Sequence, residues 1–142
     1  MMVKSFRHAC VQVRDIERSL KFYRDILGFR VSKVLTLKGW YPEKLFNIKG
    51  IKLVYVKMHD PSQSKKSPPI FELHCWLKPR IRKLSGHNHI SFTVKNAQKI
   101  YENLKENKVK IISSPAKAPD SGCQVFFAHD PDNHLIEFVQ DK

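Results

Sequence analysis

The chain has 142 residues, which suits one domain with its own hydrophobic core and is too short for two full-sized domains. Its residues are 42% hydrophobic and 27% charged, and no apolar run approaches the length of a membrane-spanning helix. The first residues lack the continuous apolar segment of a signal peptide, and the three cysteines form no C-x-x-C pair. We therefore expect a cytoplasmic protein without disulfides and without a membrane partner.

The formal net charge of +13 raises the question of nucleic-acid binding. The basic residues are spread along the chain, and the densest group, "LKPRIRKL" at 77–84, contains no interleaved aromatic residues. We therefore predict no nucleic-acid partner. The charge is explained either by a basic solvated surface or by attraction of an anionic small-molecule substrate.

The first half of the chain is predicted to form a strand, a helix and three further strands. Alternating apolar residues predict the first strand at about 3–13. The stretch "DIERSLKFYRDILG" predicts a helix that starts after Asp15 as its N-cap and stops at Gly28. Three runs bounded by Gly and Pro predict the strands that follow, at 29–37, 51–58 and 69–77.

After Gly86 the same order of elements returns. A strand at 87–94 precedes a helix at 96–107 whose N-cap is Asn96, and three strands follow at 109–114, 123–130 and 134–140. His8 precedes the first cap, and His89 the second, by the same number of residues. The repeat predicts one pseudo-symmetric α+β domain over 1–142, built from βαβββ modules at 1–80 and 81–142.

Four strands combine an apolar row with a row that carries His or Glu. The period of two assigns to the polar rows His8, Cys10 and Gln12; Glu72, His74 and Trp76; His87 and His89; and Glu137. The helices are expected to cover the apolar rows, so the polar rows should line the opposite face of the sheet.

Two histidines and two glutamates on these rows predict a metal site. Taken singly, each is an ordinary strand histidine or a surface charge. Taken together, His8, Glu72, His89 and Glu137 occupy equivalent strands of the two modules, so the repeat would bring them to one place. Unpaired carboxylates beside apolar side chains are costly, whereas two neutral imidazoles and two carboxylates balance a divalent cation.

The stretches "HACVQVRDIERSLKFYRDILGF", "FELHCW", "HNHISFTVKN" and "DPDNHLIEFVQ" resemble the vicinal oxygen chelate superfamily, which groups glyoxalases, bleomycin-resistance proteins and dioxygenases. The resemblance implies two βαβββ modules forming a cup-shaped mixed sheet, with helices on its outer face. It places the family's metal ligands on the same four residues and implies a homodimer. Nitrogen and oxygen ligands suit Ni, Zn, Co, Mn or Fe(II).

The resemblance also implies a chemistry. The set of two His and two Glu is most similar to glyoxalase I, which implies a lyase or isomerase acting on a small carbonyl substrate through a metal-bound enolate. Glu137 is then the expected base, with Glu72 as the alternative. The residues expected to bind the substrate are Gln12, His74, Trp76 and His87.

Two alternative functions stay open, an extradiol-type dioxygenase and a non-catalytic drug-binding protein of the same fold. Bleomycin-binding members lack the metal ligands, and extradiol dioxygenases use three, so the fourth ligand favours the lyase or isomerase. Gln12 stands where glutathione-binding members have Arg, and Trp76 where they have Asn. These two departures count against glutathione as part of the substrate.

Overall fold

The computed structural model describes residues 8–41, 43, 48–67, 69–80, 90–117 and 122–142. The chain divides into two compact units, Met1–Leu84 and Ser85–Lys142. Each unit contains one four-stranded sheet of mixed strand directions, and the fold is of the α+β class. Within the described residues, no helix is long and apolar enough to cross a membrane.

The first unit follows the predicted order of elements. These are β1 (Ala9–Gln12), α1 (Ile16–Leu20) with a π-helical continuation (Lys21–Ile26), β2 (Arg30–Lys38), β3 (Lys52–His59) and β4 (Phe71–Lys78). The sheet order is β1-β4-β3-β2. The first strand runs parallel to β4, and the remaining neighbours are antiparallel. The first and last strands of the unit therefore lie side by side.

The helix of the first unit has the predicted ends but a different middle. The Asp15 carboxylate accepts a hydrogen bond from the backbone N–H of Arg18 at 2.9 Å. At the other end Gly28 adopts φ +82°, a conformation that costs glycine little. The sequence predicted a helix over this stretch, and its second half is wound more widely than an α-helix, with the Leu27 N–H bonded to the Phe22 carbonyl at 3.0 Å.

The core of the first unit lies on the face that alternation predicted. Val11 on β1, Val56 on β3 and Leu73 on β4 are buried there. Tyr23, from the helical segment, packs its ring 5.1 Å from that of Phe71. Because strand residues alternate between faces, the histidine- and glutamate-bearing row is left on the opposite face.

The second unit repeats this plan. Its elements are β5 (Ile90–Thr93), α2 (Ala97–Glu106), β6 (Ala116–Lys117), β7 (Gln124–His129) and β8 (Leu135–Gln140). The sheet order is β5-β8-β7-β6, with β5 parallel to β8. Phe126 and Phe138 stack at 4.9 Å in a core that includes Leu104 of α2. Both units thus place their first and last strands together.

The strand predicted at 109–114 is wrong. In that segment Ile111 makes a single bridge to Ala128. The strand that pairs with β7 is instead the short β6, which begins at Ala116. Pro115 lies between the bridge and β6, and proline has no N–H to donate to a continuous ladder.

The motif "DPDNH" forms the turn between β7 and β8. The buried Asp130 carboxylate accepts hydrogen bonds from the backbone N–H groups of Asp132 at 2.9 Å and His134 at 2.8 Å. Its second oxygen lies 2.8 Å from His134 Nδ1. These contacts fix the turn, and with it the start of the strand that carries Glu137.

The two helix caps give a direct stability prediction. Replacing Asp15 or Asn96 by alanine should each lower the free energy of unfolding by about 1 kcal/mol, because each side chain satisfies a backbone N–H of the first helical turn. Urea denaturation measures the change. Lys99→Ala, an exposed change on α2, should stay within about 0.5 kcal/mol of the parent protein. Unchanged urea midpoints in both cap variants would contradict the prediction.

Candidate functional site

The candidate residues of the first unit lie in two cross-strand rows, on the face of the sheet that points away from the core. Register partners share a face of the sheet, so neighbouring strands bring these side chains together. The first row is Cys10, Glu72, Lys57 and Lys33, and the second contains Gln12, His74 and Tyr55. These seven residues are called the Glu72 face below.

Glu72 is the centre of this face. Only 6% of the residue is exposed, so its carboxylate has lost most of its hydration. One oxygen, Oε2, lies 3.1 Å from Nε2 of His74 and 3.5 Å from Nε2 of His8. The other oxygen, Oε1, lies 3.9 Å from Nζ of Lys57. These neighbours offset the cost of burying the carboxylate.

The structure places His8 close to Glu72, and the distance between their side chains fits two ligands of one ion. Two donor atoms that are each about 2.1 Å from a metal lie about 3.0–3.4 Å apart in octahedral or tetrahedral geometry. The 3.5 Å between His8 Nε2 and Glu72 Oε2 is close to this range. An imidazole nitrogen and a carboxylate oxygen also have the donor chemistry of a divalent first-row metal site.

Cys10, although it is the register partner of Glu72, does not add a thiolate to this donor set. Burial, and then the negative charge of Glu72, raise the pKa of the Cys10 thiol to about 12. The thiol therefore stays protonated at neutral pH, and the face offers nitrogen and oxygen donors.

This pKa leads to a testable pH dependence. In the folded protein Cys10 should resist alkylation by iodoacetamide at pH 9, and in urea it should react, as peptide mass spectrometry can measure. Since folding raises this pKa from 9.0, the stability that the group contributes should be lost as the pH rises from about 9 to about 12. Equal alkylation of Cys10 in the folded and unfolded protein would refute the assignment.

The predicted substrate-binding residues of the first unit lie on this same side. His74 contacts Glu72, and Gln12 is its register partner on β1. Trp76, two residues beyond His74 on β4, is half-buried. The ring of Tyr55 lies 6.0 Å from that of His74. Burial, followed by the charge of Glu72, raises the pKa of the Tyr55 hydroxyl, which keeps it a neutral hydrogen-bond donor.

In the second unit Glu137 occupies the equivalent strand, β8. It pairs with Ser91 on β5 and with Phe127 on β7, and it is half-buried. Its neighbours along β8, Ile136 and Phe138, are buried on the opposite face, as alternation predicted. His87 and His89 lie outside the described residues.

The four-ligand metal site thus stays a prediction. Across residues 8–41, 43, 48–67, 69–80, 90–117 and 122–142, no group of three or more His, Cys, Asp and Glu side chains could hold a metal ion. The described residues supply His8 and Glu72 as one pair in the first unit, and Glu137 belongs to the second unit.

Lys57 and Tyr55 are two residues of the site face that the sequence analysis did not select. Alternation in "IKLVYVKM" separates them from Val54, Val56 and Met58 and could have marked their face as polar. The sequence pattern does not show which strands are neighbours. The pairing of β3 with β4, which places Lys57 opposite Glu72, is seen only in the structure.

Comparisons with known proteins agree on one family. A family model described as Glyoxalase/Bleomycin resistance protein/Dioxygenase superfamily matches residues 5–138. A lactoylglutathione lyase of Neisseria meningitidis is 29% identical over 136 residues, covering 95% of this chain and 89% of that protein. The mitochondrial methylmalonyl-CoA epimerase of Mus musculus is 30% identical over 135 residues, covering 94% and 71%.

A solved structure resembles the fold. The crystal structure of a glyoxalase family protein from Bacillus cereus matches with a TM-score of 0.83, covering 99% of this chain and 97% of that one. The sequence identity of this pair is 13%, so the likeness concerns the fold.

Proposed function

Because the chain belongs to the Glyoxalase/Bleomycin resistance protein/Dioxygenase superfamily, we propose that it is a metal-dependent lyase or isomerase acting on a small carbonyl substrate. The observation that carries the proposal is the buried Glu72 carboxylate, which lies close to the imidazole nitrogens of His8 and His74. The enzyme names of the two relatives, a lyase and an epimerase, point in the same direction.

The proposed ligands are His8, Glu72, His89 and Glu137. The first two stand together in the first unit, and the repeat of the sequence supplies the other two. A divalent ion held by these residues would serve as a Lewis acid that polarises the carbonyl of the substrate. The same family membership favours a homodimer, which analytical ultracentrifugation would measure.

Glu137 is also the proposed base, and for that role its carboxylate would have to move partly off the ion. It takes a proton from the carbon next to the carbonyl and returns it to another face or position, which isomerises the substrate without any change of oxidation state. Glu72 is the alternative, and its two oxygens have His74 at Oε2 and Lys57 at Oε1 as neighbours. These contacts suit a carboxylate that is held in place better than one that must carry a proton.

The side chains around Glu72 would position the substrate. His74 and Tyr55 offer polar groups, and Gln12 and Trp76 extend the face along the first and fourth strands. The names of the relatives indicate acyl thioesters as the first compounds to try, namely lactoylglutathione and methylmalonyl-CoA. Gln12 and Trp76 differ from the glutathione-binding pattern, so we expect the coenzyme A thioester to be the better of the two.

Deuterium exchange tests this function. Metal-loaded protein is incubated in D₂O with each thioester, and NMR follows deuterium at the carbon next to the carbonyl. We expect exchange that requires the metal and stops after chelation. Oxygen consumption with catechol and no exchange would instead indicate a dioxygenase. Binding of these compounds with neither reaction would indicate a non-catalytic binding protein.

A further inference from the structure

Two lysines occupy facing positions on the Glu72 face. Lys33 on β2 and Lys57 on β3 are register partners, and Lys57 is in turn the partner of Glu72. Like charges directly opposite each other on neighbouring strands destabilise a sheet. A bound anion would remove this repulsion, and this pair differs from other facing lysines of the sheet, such as Lys38 and Lys52, in lying beside the buried Glu72 carboxylate.

The surroundings of Lys57 leave its ammonium group able to take a ligand. Nζ lies 3.9 Å from Oε1 of Glu72, beyond hydrogen-bond distance, and 5.6 Å from the centroid of the Tyr55 ring. Nζ makes no hydrogen bond to any residue that the structure describes, and 35% of the side chain is exposed. An ammonium group carries three donors, so this one can bind an anion from the solvent side.

We propose that Lys57, assisted by Lys33, is a specificity-determining residue that binds a negatively charged group of the substrate. The substrate class is then a carbonyl compound with a carboxylate or similar anion close to the reacting carbonyl. A charge-assisted hydrogen bond would place the anion about 2.8 Å from Lys57 Nζ, which itself lies 3.9 Å from Glu72 Oε1. The bound anion would therefore lie within about 7 Å of the Glu72 carboxylate.

The net charge of +13 supports this assignment, because a positive surface draws anions towards the site. The negative charge of Glu72 repels an anion. The two ammonium groups of Lys33 and Lys57 outnumber this one carboxylate, so the Glu72 face carries a net positive charge before any metal binds. The assignment of the bound anion to a substrate rests on the proposed function, whereas anion binding by Lys57 does not.

A binding titration tests the proposal without catalysis. Pyruvate and its neutral amide, pyruvamide, have nearly the same size and differ in charge. Metal-free, full-length protein is titrated with each at low ionic strength, and NMR chemical shifts report the affinities. We expect pyruvate to bind about fivefold more tightly than pyruvamide, a preference that added salt reduces.

Three variants test whether the charge of Lys57 causes the preference for pyruvate over pyruvamide. Lys57→Met should abolish the preference for pyruvate, and Lys57→Arg should keep it. Lys52→Met is the matched control and should keep the preference. Lys52 lies on the same strand as Lys57 and also faces a lysine, Lys38. By alternation, however, Lys52 belongs to the opposite face of the sheet. Equal affinities for the two compounds in the parent protein, or equal losses in Lys57→Met and Lys52→Met, would overturn the proposal.

The deuterium-exchange experiment separates this inference from the proposed function. If no compound exchanges but the titration shows a preference that depends on Lys57, the proposed function fails and the anion site stands. If exchange occurs and Lys57→Met leaves the KM of an anionic substrate unchanged, the inference fails and the function stands. Where both hold, Lys57→Met should raise that KM about fivefold with kcat nearly unchanged.

Discussion

Replacing Glu137 by glutamine is expected to slow deuterium exchange at least 100-fold, the usual range for the loss of a general base. The amide has nearly the same shape as the carboxylate but cannot accept the proton that leaves carbon. Glu137 lies on β8 between the buried residues Ile136 and Phe138, so the strand should keep its position in the variant. NMR in D₂O with saturating metal measures the rate.

The matched control for this variant is Glu102→Gln. It makes the same chemical change on the exposed side of α2, where Glu102 accepts a hydrogen bond from Gln98, and it should exchange at the parent rate. If Glu137→Gln exchanges within about threefold of the parent protein while Glu72→Gln is slow, the base is Glu72 and the assignment to Glu137 is wrong.

Replacing Glu72 by alanine is expected to weaken metal binding more than 100-fold and to abolish exchange. The change removes the carboxylate that His8, His74 and Lys57 approach, so those groups lose their shared partner. Removal of one member of a buried, paired set is also costly to stability, by about 3 kcal/mol. Competition with a fluorescent chelator measures affinity, and urea denaturation measures stability.

Asp25→Ala is the control for the Glu72 variant. Asp25 is an exposed carboxylate of the same unit and pairs with its neighbour Arg24. Because this pair is exposed to solvent, its loss should leave the urea midpoint and the metal affinity close to those of the parent protein. A Glu72→Ala protein that binds metal as tightly as the Asp25→Ala protein would exclude Glu72 as a ligand.

The faces of the strands could be predicted from the sequence because burial enforces them. Val11, Leu73 and Phe138 must lie in a core, and the period of two then assigns their neighbours Gln12, Glu72 and Glu137 to the other face. The two helix caps were predictable for a similar reason, since the cap side chains act on the backbone only three residues away.

The neighbours across the sheet could not be predicted in the same way. That β3 lies beside β4, and so places Lys57 opposite Glu72, depends on long-range pairing that no local pattern records. The wide turns after Leu20 and the single bridge at Ile111 are also decided by tertiary contacts. The sequence therefore predicts the acidic and imidazole groups of the candidate site but not the lysine beside them.

The metal content of the purified protein tests the central claim most directly. Elemental analysis of the parent protein, of His8→Ala and of Glu137→Ala, each dialysed against the same divalent metal, gives the number of ions bound per chain. The proposed site predicts one bound ion in the parent protein and its loss in both variants. An unchanged metal content in both variants would contradict a site built from the paired strands of the two modules.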